Sequence, residues 1–201
     1  MFTVFGLPAH ILLVHAVVVS LPLSALLTLG VALSTRFRER YGVAVVAFTF
    51  VATLWVPLAT QAGESLRGAL PSTPLIARHA MLGNLLVPFA AAFGLSLAAL
   101  VWVDLLRRAI AGEGRAPSPL ERWIVDRAPR IARPSRPGAW LEPTLAGART
   151  LAVALSLAVG VLVVLAGDSG ARAVWSHYPG LNAARAKAPR APGAAVTQPG
   201  S

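Results

Sequence analysis

The sequence predicts an all-α integral membrane protein, a bundle of four transmembrane helices with both termini outside the cytoplasm. Composition is the first reason. Of 201 residues, 56% are apolar and 13% charged, with a mean hydropathy of +0.66. Soluble domains average about 45–50% apolar and about 25% charged residues. The second reason is four apolar stretches near the ~20 residues that a helix needs to cross a bilayer. The third is that basic residues crowd alternate connections.

The spans are expected at about 7–33, 43–62, 80–103 and 150–167. The first is too long for the usual ~7–15-residue core of a cleavable signal, and no basic residue precedes it. Pro22, Pro57 and Pro88 interrupt the first three spans, and kinks there can open room in a bundle. In span two, Thr49, Thr53, Pro57, Thr60 and Glu64 fall within about 40° of one direction. That polar stripe either packs on a neighbouring helix or lines an ion or proton path. Span three carries Ala90, Ala91, Gly94 and Ala98, and span four Ser156, Gly160 and Gly167. Small residues of this kind suit close helix approach.

The connections set the orientation. Arg36, Arg38 and Arg40 follow span one; Arg107, Arg108 and six further arginines, from Arg115 to Arg136, follow span three. The opposite side carries Arg67 and Arg78, then Arg172, Arg185, Lys187 and Arg190. The loop 104–148 is therefore expected in the cytoplasm. Within it, Ser118, Pro119 and Glu121 read as the capped start of a short helix. That helix either lies on the inner leaflet or folds into a solvated loop. Residues 1–177 form one domain, and the tail 178–201 reads as disordered.

The net charge of +10 does not point to nucleic acid, because no basic patch is interleaved with stacking aromatics. The expected partner is the lipid bilayer. The absence of cysteine excludes disulfides, thiolate metal sites and cysteine nucleophiles. Asp168 and Ser169 lack the context of a hydrolase elbow, so no catalytic residue is assigned.

The four histidines, His10, His15, His79 and His177, all fall on the outer side of this topology. Counting the helix rise puts Gln61, Glu64, His79, His15 and Asp168 near one outer layer, with His10 and His177 further out. Imidazole and carboxylate suit zinc, iron or copper, so His10, His15, Glu64 and His79 are the candidate metal ligands. Gln61 and Asp168 complete a polar cluster. His10 and His15 diverge by about 140° around the helix. Transmembrane b-type haem needs axial histidines on facing helices, and His15 with His79 comes nearest to that.

Several segments resemble one family. They are Gly6-Leu7-Pro8-Ala9-His10 with His15, Pro57 to Glu64, His79 with Gly83, and Gly167 to Ala171. In this order and spacing they resemble the bacterial membrane proteins catalogued as domain of unknown function 2231. The resemblance implies a multi-pass, four-helix protein of a bacterial cell membrane, and an association of some members with iron–sulfur proteins. Members often carry a proline where this chain has Ile11, and many a histidine where it has Asp168.

The expected function is non-enzymatic: a membrane protein with an outer-face His/Glu cluster, acting as an accessory subunit in a membrane complex. One alternative is a redox protein holding b-type haem or a metal at that cluster. The other is a small ion or proton pathway.

Overall fold

A computed structural model describes residues 3–4, 7–111 and 140–175. Four long helices account for nearly all of them: α1 (Ala9–Leu33), α2 (Thr35–Arg67), α3 (Pro74–Ala111) and α4 (Leu141–Trp175). All four are long and apolar enough to cross a membrane. A small antiparallel pairing of β1 (Thr3–Val4) with β2 (Leu7–Pro8) precedes α1. The short helix expected from Ser118, His177 and the tail 178–201 lie outside the described residues.

The helices pack in a ring: α1 beside α2, α2 beside α3, α3 beside α4, and α4 closing on α1. Chain direction alternates, so the start of α1, the α2–α3 connection and the end of α4 share one end of the bundle. The α1–α2 turn, the end of α3 and the start of α4 share the other. The first is called the histidine end below and the second the arginine end.

Local chemistry explains the helix starts. Ser34 alone separates α1 from α2; its extended backbone turns the chain, and its hydroxyl accepts from the Phe37 N–H at 3.3 Å. Thr73 does the same for α3, accepting from the Ile76 N–H at 3.3 Å, with Pro74 at the first helical position. Pro143 lies in the first turn of α4, where its missing N–H has no intrahelical partner to lose.

The helices overrun the apolar spans. α3 continues to Ala111 and α4 begins at Leu141, so both ends of the segment expected as the loop 104–148 are helical. The reason is burial: Asp104, Leu105, Leu106, Leu141 and Leu145 all pack inside. At the other end, Leu7 and Pro8 lie in β2 and α1 starts at Ala9. Hydropathy marks the stretch within the lipid; packing decides where a helix stops. Pro22, Pro57 and Pro88 all lie inside continuous helices.

The core has two parts. Val17, Leu21, Val56, Leu86, Ala90, Phe93 and Val163 fill the half toward the histidine end. Val31, Val45, Leu97, Leu100, Leu141 and Leu145 fill the half toward the arginine end. Buried Ser24, Thr28, Thr49, Ser96 and Ser156 line the bundle's middle. Outside, Val19, Leu26, Phe50, Leu95 and Val164 are at least 60% exposed, an apolar shell that belongs against lipid.

Candidate functional site

The histidine end is built on two imidazoles from diagonal helices. His10 lies in the first turn of α1, and its Nδ1 is 2.9 Å from the Ala59 carbonyl of α2. His79 lies in the second turn of α3, with Nδ1 3.0 Å from the Ala166 carbonyl of α4 and 3.3 Å from Ser169 Oγ. A carbonyl oxygen can only accept, so Nδ1–H donates in both rings. In the neutral form of each ring this fixes the tautomer, with the lone pair on Nε2. The ring centroids are 6.1 Å apart with an interplanar angle of 77°. One pair of rings thus links all four helices.

Two glycines seat these rings. A Cβ at Gly63 would come within 2.9 Å of His10 Cε1, and one at Gly170 within 3.0 Å of His79 Cε1. No real side chain fits at the first distance without displacing the ring. In both cases Nε2 is the more remote atom, at 3.7 and 3.6 Å. Ser169 is buried and donates back to the Ala166 carbonyl at 2.8 Å, so it supports the same corner. Gly170 does not end a helix, since α4 runs on to Trp175.

The other candidates lie elsewhere. His15 is exposed, and its Nδ1 bonds the Ile11 carbonyl of its own helix at 2.6 Å. His10 stands opposite His79 where His15 was expected, because the two residues diverge around α1 and His10 shares the inward face with Val17, Leu21 and Ser24. Glu64 is exposed and meets Arg67 at 3.4 Å and Asn84 at 3.4 Å. Asp168 is exposed and pairs with Arg172 at 2.8 Å. Gln61 is exposed. Among the described residues, no three His, Asp or Glu side chains gather as a metal-binding group.

The threonine stripe of α2 faces α3 through its methyls. A Cβ at Gly94 would lie 3.6 Å from Thr53 Cγ2, and one at Gly83 3.6 Å from Thr60 Cγ2. The two hydroxyls donate to carbonyls of their own helix, those of Phe50 and Pro57. Thr49 is fully buried. This is helix packing by small residues.

At the arginine end stands a cluster that charge counting treats only as loop residues. Asp104 is fully buried in α3. Arg38 of α2, 1% exposed, approaches it through Nε at 3.1 Å. Arg108 approaches the other carboxylate oxygen through Nε at 3.0 Å, and Arg107 comes to 3.9 Å. Arg38 also donates to the Val31 carbonyl of α1 at 2.8 Å. These nitrogens reach ion-pair distance but lie off the hydrogen-bond line, so charge rather than alignment holds the cluster. The sequence did hold a signal: Asp104 is the one acidic residue between His79 and Arg108.

The two layers are one bilayer core apart. From His10 to Val31 along α1, and from Arg38 to Ala59 along α2, the rise is about 31 Å. A hydrocarbon core is about 30 Å thick.

A family profile described as Predicted membrane protein (DUF2231) matches residues 6–182, most of the chain. No curated protein and no solved structure matches it. The chain belongs to this family of membrane proteins.

Proposed function

We propose that this member of the family is a redox protein of the cell membrane that holds a b-type haem between His10 and His79, at the outer end of the bundle. One observation carries the reading: two imidazoles, each anchored through Nδ1 to a backbone carbonyl, stand 6.1 Å apart, and among the described residues neither Nε2 has a hydrogen-bond partner. Ligating histidines characteristically donate their other N–H to such an acceptor. His10 and His79 would hold the group through these two nitrogens. A bare zinc ion fits the pair less well, because it takes three or four protein ligands and no third His, Asp or Glu gathers with the pair among the described residues. The bound group would supply one-electron transfer; the protein's part is to fix both rings and to flank them. The four segments that carry the family resemblance also meet here, at His10, Gly63, His79 and Gly170.

The orientation belongs to the same reading. Arg36 and Arg40 lie exposed at the arginine end, which the positive-inside rule assigns to the cytoplasm.

The test is optical. Protein expressed with sufficient haem and purified in detergent should show a Soret band that shifts on reduction. The band should vanish in His10→Ala and His79→Ala and persist in His15→Ala. A colourless wild-type protein would sink the haem reading.

A second reading has its own support in the cross-helix bonds to Ala59 and Ala166. Here the pair is a staple that holds the outer mouth of a non-enzymatic accessory subunit. It predicts a colourless protein in which both histidine variants still lower thermal stability.

A further inference from the structure

We propose that the arginine end carries a specific site for the phosphate of an anionic phospholipid, with Arg108 as its principal ligand. The argument begins with charge. Among the described residues this end holds Arg36, Arg38, Arg40, Arg107, Arg108 and Arg149 against Glu39, Asp104 and Glu142. Inside the bundle, Arg38 and Arg108 both bring Nε to the carboxylate of Asp104, and Arg107 lies at its edge.

Geometry separates the three. Arg38 is used up: Nε faces Asp104, Nη1 bonds the Val31 carbonyl at 2.8 Å, and Nη2 reaches Thr35 Oγ1 at 3.5 Å. Arg108 is held differently. Its Nε meets Asp104 at 3.0 Å, and among the described residues its two Nη groups make no hydrogen bond or ion pair. The side chains of Arg107 and Arg108 are 24% and 14% exposed, so they reach the surface of the bundle from a buried anchor. Asp104 therefore positions the guanidinium of Arg108 without consuming its fork.

Depth names the ligand. This cluster lies about 31 Å from the imidazole layer, at the other boundary of the hydrocarbon core. Lipid phosphates stand at that level, and basic pockets between helices there bind anionic headgroups. A guanidinium fork matches two phosphate oxygens bidentately. A partly dehydrated arginine that already has its Nε fixed loses less freedom on binding than a surface one.

The experiment uses the full chain in neutral detergent, with dioleoylphosphatidylglycerol, dioleoylphosphatidylcholine or inorganic phosphate added separately. Thermal unfolding and native mass spectrometry read the outcome. The anionic lipid should raise the midpoint by several degrees and be retained as a discrete adduct, with phosphatidylcholine and inorganic phosphate much weaker. Arg108→Gln should weaken the lipid about tenfold, the loss of one bidentate charged contact. Arg36→Gln/Arg40→Gln should leave it within about twofold, since exposed charges are screened. Arg108→Lys, which keeps the charge and loses the fork, gives a second variant should the glutamine protein not fold; its affinity should fall clearly below wild type. Equal stabilisation by phosphatidylcholine would overturn the proposal. So would an equal loss in the Arg36/Arg40 variant, unchanged binding in Arg108→Lys, or inorganic phosphate alone reproducing the effect, which would move the ligand from the lipid to water.

Discussion

The two ends of this bundle solve one problem by opposite means. Each must join helices at the edge of the hydrocarbon, where water is scarce and polar groups need partners. The histidine end uses imidazole rings that donate through Nδ1 to backbone carbonyls. The arginine end uses full charges around Asp104, and there the joint works only while every ion keeps its partner. A hydrogen-bonded joint loses one bond when it is cut. A charged joint leaves an ion stranded.

The largest expected effect follows from that asymmetry. Asp104→Ala leaves Arg38 buried without a counter-charge and should cost about 3–5 kcal/mol. Unfolding by denaturant in detergent measures it, and a loss under 1 kcal/mol would show that the cluster is not what closes this end. Replacing both buried partners, Arg38→Met with Asp104→Leu, should recover part of that stability, because Arg38 is no longer stranded while Arg107 and Arg108, which reach the surface, can turn toward water.

Next come the ring seats. Gly63→Ala puts a methyl into the His10 ring and should cost about 1–3 kcal/mol, the usual range for overpacking. Gly160→Ala, with nothing within 4 Å of its new Cβ, is the matched control and should be neutral or slightly stabilising. Equal melting temperatures for the two variants would remove the seat from the argument.

His79→Ala should be milder, about 1 kcal/mol for one hydrogen bond plus some packing, and His15→Ala smaller still. A His15 variant that destabilises more than the His79 variant would reverse the assignment of the inward face. The smallest effect is expected from Thr53→Val. Its methyl contact with Gly94 is kept and its hydroxyl already closes on its own helix, so the change should stay within about 0.5 kcal/mol.

Hydropathy alone carried the helix count, because a bilayer demands a long apolar run at each crossing. It could not show where α3 and α4 end, since Leu105, Leu141 and Leu145 pack beyond the apolar windows. Depth counting brought the histidines to one end of the bundle but could not tell which histidine of α1 faces inward. Helical phase held the missing signal. Ser24 and Thr28, buried polar residues of that helix, lie within about 40° of His10 and on the far side from His15. The Arg38–Asp104 pair was half legible: Asp104 stands out as the one acidic residue between His79 and Arg108, but its partner does not stand out from the other arginines. Charges of a topological signal and charges of a structural lock look alike in a sequence, and only the α2–α3 contact distinguishes them. The same holds for Gly170 and Ser169, which only the α3–α4 contact shows to be the wall behind a ring.

The fixed spacing between the two layers makes the protein a ruler. Each layer ties helices to one another, so the bundle cannot lengthen by sliding a single helix past its neighbours. In a bilayer thicker than about 31 Å the lipid must thin around the protein; in a thinner one, the whole bundle must tilt. Hydrophobic mismatch of this kind costs fractions of a kcal/mol per Å. Over a few ångströms that is enough to favour membranes of matching thickness, and to draw together copies of a chain that share the same deformed annulus of lipid.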